Sequence, residues 1–449
     1  MRSLFAYQAA PWVARALFAA LLAGLLFAVP AAQPQVSSAL GRILTQQNIS
    51  RTGDQSELPQ IAYGGGQLAA TWGERSEQRV GLNGVAVEGS WPGAKFISSS
   101  ALTAYQNPDV VVGSLGVTHM VYASGNTIYY RSRQPNGGYS AARRVASSNF
   151  PNGLRLALSS RGTLWAIWRD ADGSAIYYKF SRDRGQTWLN GSDGGVVTAE
   201  TGNMFAPDIA VGADDAPQVV WYMRSGGSYK GDIRIANWTG SRFAAGRITS
   251  DGSGLYDADP SIVVDGQNVQ HLVWRKQSGS NWVIFYARRA PGGSWQGYTP
   301  VATTRGDAKY APAIGVDSQG TVSLTYSDAL SGNARRIMLF SKLPGKSWEG
   351  PLALSGGRWD SHSDVVNARS ATGIVANVVH QHEVGSDDGE IIYSRVLLKS
   401  CQAGARAETD LAQPDAAQSG TVAPAATGSH KLYFSLTYRS VVTPAQPGC

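Results

Sequence analysis

The chain of 449 residues carries only two cysteines and six histidines. Two cysteines cannot supply a disulfide framework or a four-ligand zinc site. Charged residues are also scarce, at 16% of the chain, and no run of Lys or Arg concentrates the formal net charge of +7. A nucleic-acid footprint needs such a concentration, so nucleic acid is not expected as a partner. No G-x-S-x-G elbow supports a Ser–His–Asp triad, and no glycine loop is built to cradle phosphate. The apolar run near the amino end falls short of the ~20 residues needed to span a bilayer comfortably, and outside it no run is long enough. Nor does any segment there show a helical period. No cofactor and no metal site are expected.

What the chain has in quantity is turn and strand material. Glycine supplies 52 residues and proline 20, and aromatic residues make up 10%. With 43% hydrophobic residues the chain can bury a large core, and the bias toward Trp, Tyr, Thr, Ser and Gly favours an all-β protein.

The ends differ from the middle. Residues 1–31 begin with Arg2 and Arg15 and no acid, continue through an apolar stretch from Ala16 to Val29, and end in Pro30 and Ala31, with Ala32 next. This pattern reads as a secretory signal cleaved near Ala31, which predicts a secreted or cell-surface protein. The alternative is an uncleaved leader, the one route to a membrane. Residues 401–449 read as a flexible tail rich in Ala, Gln, Pro and Gly that ends in a strand-like segment, KLYFSLTYRSVV. Cys401 and Cys449 bracket that tail and would close it into a loop if paired in an oxidising compartment.

Between them lies a repeat. LPQIAYG, NPDVVVG, NGLRLAL, APDIAVG, DPSIVVD, APAIGVD and HSDVVNA start at residues 58, 107, 152, 206, 259, 311 and 362, which are 45 to 54 residues apart. That period suits propeller blades and not helical repeats. After each start a second apolar run ends at Trp72, Tyr122, Trp168, Trp221, Trp274, Tyr326 or Val379, and a third run follows in six copies. Gly/Ser/Asn/Asp turns separate these short β-branched and aromatic runs, as strands require. A fourth run closes most copies but is missing from the last, whereas Gly41–Gln47 has the fourth-strand pattern with no blade in front of it. The expected fold is a seven-bladed β-propeller over residues 41–400, closed by that N-terminal strand, which removes the exposed edges. Six blades with an irregular first repeat is the alternative, because VGLNGVAVEG is the poorest third strand.

One turn carries a recognisable motif. SRDRGQTW, Ser181 to Trp188, places Ser181, Asp183, Gly185, Thr187 and Trp188 in the pattern S-x-D-x-G-x-T-W, and worn versions recur in three other copies. Asp183 can accept backbone N–H groups, Gly185 permits a positive φ, and Trp188 can pack back on the blade. The motif resembles the Asp-box, or BNR repeat, of the sialidase-like β-propeller superfamily. That resemblance implies a propeller and, within the superfamily, exo-glycosidases with three carboxylate-binding arginines, a Tyr–Glu nucleophile pair and an Asp acid/base. In this chain the stretch corresponding to the superfamily's first-blade Arg segment reads SELPQIAY and holds no arginine.

Two columns of residues fall on the end of the axis where second-to-third-strand loops meet the loops between blades. The first is aromatic: Tyr105, Phe150, Phe205, Tyr256, Tyr310 and Trp359, rings suited either to stacking on sugars or to wedging between blades. The second is charged: Glu74, Arg75, Arg169, Asp170, Arg224, Arg275, Lys276, Asp328, His382 and Glu383. Arg75, Arg169, Arg224 and Arg275 would bind a carboxylate or sulfate through their fork geometry. Asp170, Tyr256 and Tyr310 are the candidates for catalysis. His119 and His271 read as structural, and His380 and His382 in HQHE have the spacing of a metal pair without a third ligand. The expected function is non-catalytic binding of a glycan or a cell-surface protein. A sialidase-type hydrolase is the alternative, and a polysaccharide lyase the second alternative.

Overall fold

The computed structural model describes residues 41–75, 77–97, 108–191, 194–200, 203–224, 231–250, 256–304, 312–330, 334–356, 359–370, 373–383 and 389–400. Residues 1–40 and 401–449, where a leader and a tail with both cysteines are expected, lie outside these residues, as do Tyr105 and Tyr310.

All the regular structure among the described residues is β. Five four-stranded antiparallel sheets follow one another along the chain. The first runs through Ser56–Gly64, Gln67–Glu74, Arg79–Ala86 and Lys95–Phe96, and the second through Asp109–Val112, Thr118–Ser124, Thr127–Arg133 and Arg143–Ser147. The third comprises Asn152–Leu158, Leu164–Arg169, Ala175–Ser181 and Gly195–Ala199, and the fourth Asn203–Val211, Pro217–Arg224, Gly231–Trp238 and Phe243–Arg247. The fifth is built from Asp257–Val264, Gln270–Ser278, Asn281–Arg289 and Gln296–Thr304. The remaining strands make one eight-stranded sheet: Ala313–Val316, Val322–Ala329, Arg335–Lys342 and Glu349–Ala353, then Trp359–Ser370, Gly373–Glu383, Gly389–Ser400 and the N-terminal Arg42–Asn48.

The expectation of seven separate blades, or of six, is therefore corrected. Five blades stand alone, and the last two repeats are joined. The cause is the length of Trp359–Ser370: at 12 residues it overreaches the other first strands, which have four to nine. Its first residue meets the preceding repeat in a parallel bridge, Arg335 to Trp359. The pairing of the N-terminal strand with the last strand is present, running from Arg42 opposite Leu397 to Asn48 opposite Ile392. Arg79–Ala86, the poorest third strand in the sequence, pairs along its whole length with Gln67–Glu74.

Burial peaks in the second strands and is lowest in the outermost ones. The second strands are buried along most of their length, because neighbouring sheets cover both faces. They hold Trp72, Trp168, Trp221 and Trp274, each at most 1% exposed. The outer strands are open, as in Phe243–Arg247, where only Phe243 is buried. The core is thus a ring of apolar clusters between sheets, such as Trp165, Tyr178, Trp221 and Phe243 between the third and fourth.

The first strands break register at one repeated place. Leu58, Gly153, Ala206, Asp259 and His362 all have positive φ, from 40° to 60°, where the ladder skips residues. Pro59, Pro207 and Pro260 follow directly, and proline, which has no N–H to donate, suits a bulge. The bulge delivers the next residue to the axis. Gln60, Asp109, Arg155, Asp208, Ser261, Ala313 and Asp364 there line an axial cavity of about 570 Å³.

Candidate functional site

The bulged ends of the first strands and the far ends of the second strands share one face, and the richest cluster there spans the third to fifth sheets. Arg169 and Arg224 end successive second strands, and Phe205 lies between them, 5.0 Å from the Arg169 guanidinium and 4.8 Å from that of Arg224. Both arginines are half-buried, and neither forms an ion pair among the described residues. Arg224 donates from Nη2 and Nε to the Tyr256 hydroxyl, at 2.6 and 2.9 Å. Tyr256 sits edge-on to Tyr222 and to Trp282, with centroids 5.8 and 5.4 Å away. Burial, then the nearby Asp259 and a hydrogen bond to Tyr256, push the Tyr222 hydroxyl well above its ordinary range, so it stays protonated. Burial lowers the Arg169 guanidinium's affinity for its proton. For Arg224 burial works the same way and is the largest single influence, but the Tyr256 hydrogen bond and the electrostatic attraction of Tyr256, Tyr222 and Asp259 together outweigh it, and the net shift is upward.

The four arginines singled out in the sequence separate into three situations. Arg169 and Arg224 come together. Arg275, 9% exposed, is bound through Nε to the Asp259 carboxylate and lies over the Trp282 ring at 4.3 Å. Arg75 is exposed on the first sheet, with Nη1 on the Gln55 side-chain oxygen at 3.2 Å. Asp170 is bonded to the Ser148 hydroxyl and lines a separate cavity of about 390 Å³ with Tyr177 and Asn126. Glu74 is buried and accepts the Trp72 indole N–H at 2.5 Å and the Ser56 hydroxyl at 2.9 Å. Lys276 lies 3.9 Å from Asp257, and Asp328 accepts from Arg336 at 3.2 Å.

The aromatic column also divides. Phe205 is stacked on Tyr222 at 5.2 Å, and Tyr256 is 5% exposed, so both are packed between sheets. Phe150 and Trp359 are open, at 50% and 45%. Tyr222, Asp259 and Trp282 complete the cluster without having stood out in the sequence. Only Asp259 left a signal, as the one acid where the other repeats start with Leu, Asn, Ala or His.

Along the axis, three carboxylates tie neighbouring first strands together. Asp109 accepts the Val110 and Leu156 N–H groups, Asp208 those of Ile209 and Ile262, and Asp364 those of Val365 and Ile61. Arg155 occupies the equivalent position on the third sheet, its Nε 3.8 Å from Asp208. Burial nevertheless raises Asp109 to about 7 and Asp364 to about 6.

Most of the described histidines are held inside. His119 Nδ1 and His271 Nδ1 pair with the Tyr130 and Tyr286 hydroxyls at 2.7 and 2.8 Å. His380 is buried and pushed down to about 4, and His382 Nδ1 meets Asp360 at 2.5 Å. Among the described residues no three His, Cys, Asp or Glu side chains are placed to hold a metal ion.

In the Ser181–Trp188 turn, Asp183 Oδ1 accepts the Thr187 N–H at 2.8 Å and the Ser181 hydroxyl at 2.7 Å, and Oδ2 accepts the Thr187 hydroxyl at 2.5 Å. Ser181 Oγ accepts the Gly185 N–H at 2.7 Å.

The sheets define the class of protein: an all-β propeller. No known family's sequence pattern matches the chain, and no curated protein matches it by sequence. Among solved structures it is similar to a polysaccharide lyase, an ulvan lyase bound to -[GlcA(1-4)Rha3S]-. The TM-score is 0.56 at 10% identity, over 77% of this chain and 95% of that one. It is also similar to an α-L-arabinofuranosidase from Fusarium graminearum, with TM-score 0.47 and 12% identity over 80% and 99% of the two chains. A fucose-specific lectin from Aleuria aurantia gives 0.42 and 14% over 68% and 97%. At such identities the likeness is one of fold, and it supports a propeller without singling out the sialidase-like superfamily.

Proposed function

We propose that this chain is a glycan-binding propeller that takes an acidic sugar residue at the rim around Arg169, Arg224 and Tyr256. The observation that carries the reading is the pair of neighbouring guanidiniums on Phe205 with no carboxylate of the described residues bound to either. Each offers a planar fork to a carboxylate or sulfate, and partial burial strengthens the contact over what water would allow. The open rings of Phe150 and Trp359 on the same face suit the apolar faces of flanking sugars. The ligand's setting is a secreted or cell-surface one, in keeping with the basic, apolar start of the chain, and a cell-surface glycoprotein would present the same chemistry. The test is isothermal titration with a uronic-acid polysaccharide and a sulfated one, alongside a neutral glucan. Binding to the acidic polymers that is lost in Arg169→Gln and Arg224→Gln supports the proposal. Equal binding to the neutral glucan, or binding untouched by both changes, removes it.

A second reading is β-elimination of a uronate-containing glycan. It is favoured by the Arg224–Tyr256 contact, which sets a phenol beside a cation, and by the lyase among the fold's neighbours. In that reaction a base takes the proton at C5, the C4–O4 bond breaks, a C4=C5 double bond forms, and the leaving oxygen gains a proton while the cation balances the carboxylate. Appearance of the unsaturated product's ultraviolet absorbance during incubation distinguishes turnover from binding. The hydrolase alternative would need three converging arginines, and only two of the four candidates meet.

A further inference from the structure

On the opposite face, where first-to-second-strand turns gather, a cavity of about 350 Å³ opens between the fourth and fifth sheets. Its polar wall is made by Asp214, Gln218, Asn237, Gln270 and Arg289, with Trp238 beside them. Two bonds across the gap between sheets and one within the fifth sheet hold this wall in place. The Ala213 N–H donates to Asn268 Oδ1 at 2.6 Å, Arg289 Nη2 to Asn237 Oδ1 at 2.6 Å, and Arg289 Nε to Gln270 Oε1 at 2.8 Å. Arg289 also lies over the Trp295 ring at 5.0 Å. The side chains that meet a ligand here are thus already positioned before it arrives.

Gln218 is the informative residue. It is 6% exposed, paired across the sheet with Asn237, and its Nε2 donates to the Ala216 carbonyl at 2.5 Å, which sets the amide's orientation. Its Oε1 is buried and has no hydrogen-bond partner among the described residues. A buried acceptor without a donor has lost its water and gained nothing in return, so a ligand hydroxyl that reaches it relieves that cost.

We propose that this cavity binds one neutral sugar residue. The space suits a single ring. Amides and a guanidinium present donors and acceptors in fixed planes, which hydroxyls, able to do both, can satisfy together. Arg289 and the exposed Asp214 offset each other in charge, so this site lacks the anion preference argued for the rim. The Trp238 indole supplies an apolar flank. The site uses no residue of the arginine rim and stands or falls separately from it.

Saturation-transfer NMR on the full chain, with the methyl glycosides of glucose, galactose, mannose and fucose, tests it. At least one glycoside is expected to bind, an excess of acidic polysaccharide to leave it in place, and Gln218→Met to weaken it by about tenfold or more. If Gln218→Met fails to fold, Arg289→Lys, which breaks the fork to Asn237 and Gln270, carries the same expectation. Absence of signal from every glycoside overturns the proposal. So does binding that survives the folded variants, or displacement by the acidic polymer.

Discussion

Trp188 of the third sheet stands edge-on to Tyr130 of the second, with ring centroids 5.6 Å apart, and the Tyr130 hydroxyl donates to the Arg184 carbonyl in the same turn at 2.9 Å. The contact repeats around the ring. Trp348 meets Tyr286 at 5.2 Å, and Trp91 meets Tyr393 at 5.0 Å. In each case a polar side chain on the second strand (His119, His271 or Asn377) holds the tyrosine hydroxyl. The turn therefore joins one sheet to the next, and its internal bonds hold the indole in position.

Gly185 is where that junction tolerates least. Its φ is 84°, and a Cβ there would come within 2.2 Å of the Tyr130 ring. Gly185→Ala is expected to cost about 2 kcal/mol or more, since both strain and a clash apply. Asp183→Ala removes the acceptor of three hydrogen bonds and is expected to cost about 1–2 kcal/mol. The Thr187 hydroxyl and N–H hold the Asp183 carboxyl at about 2, below its ordinary 3.8. Its contribution is therefore present above that ordinary value and lost as pH falls through about 2. Urea midpoints at neutral pH and near pH 2 check this: the gap between wild type and Asp183→Ala should close at the acid end.

The axial carboxylates have the opposite sign. Burial raises Asp109 to about 7 and Asp364 to about 6, and raises Asp208 as well; Arg155 is the largest opposing influence on Asp109 and Asp208, and on Asp364 it acts behind the Ile61 and Val365 N–H groups. A raised carboxyl supports the fold fully below its ordinary value and loses that support as pH rises through the raised one. Arg155→Met should therefore cost little near pH 4 and progressively more above about pH 6, where uncompensated charges accumulate on the axis. His119 and His380, both buried, and the half-buried His362, each pushed down to about 4, oppose this in the whole-protein profile, because their support is lost on acidification. Only the difference between variant and wild type isolates Arg155. A constant difference across that range would contradict the account.

The repeat was legible because a blade writes its strands as apolar runs at a fixed period, and that signal is local. The fusion of the last two repeats was not, because it depends on a single bridge between Arg335 and Trp359, and pairing between repeats leaves no mark on periodicity. At the rim, Arg169, Arg224, Phe205 and Tyr256 could be picked out by their column positions, but not which arginines are free. Asp259, at a positive-φ bulge one strand away, takes Arg275 out of the site. Tyr222 and Trp282 read as strand core, and core they are; they join the site by packing under Tyr256.

The Arg224–Tyr256 contact makes its own prediction. Tyr256→Phe removes the acceptor of two guanidinium N–H groups but keeps the ring packed on Tyr222 and Trp282. A hydrogen bond to a charged group contributes about 1.5–3 kcal/mol, less here because Arg224 is partly solvated. The variant should therefore fold, with a loss at or below the low end of that range. Acidic-glycan affinity should fall less than in Arg224→Gln, because Arg224 keeps its charge and loses only its fixed direction. Calorimetric titration of both variants beside a denaturation curve tests the ordering. Equal losses in the two would assign the ligand contact to the phenol.

The N-terminal strand makes the last. Arg42–Asn48 covers the outer edge of Gly389–Ser400, Gln46 Nε2 donates to the Ser394 hydroxyl at 3.0 Å and to the Leu354 carbonyl at 2.5 Å, and the Ile49 N–H donates to the Ile391 carbonyl at 2.8 Å. Ile49 is fully buried with Trp72, Trp91 and Tyr393, so this segment also contributes to the junction with the first sheet. A chain starting after Ile49 would present Gly389–Ser400 as an unpaired edge rich in Ile, Val and Leu, the kind that recruits other chains. Such a truncation is expected to aggregate on expression, and Ile49→Ala in the full chain to cost about 2–5 kcal/mol while remaining soluble. A synthetic peptide of residues 41–50 added during refolding should recover soluble protein by supplying the missing strand in trans. A truncated chain that stays monomeric by light scattering, with unchanged thermal stability, would mean that the strand merely decorates the last sheet.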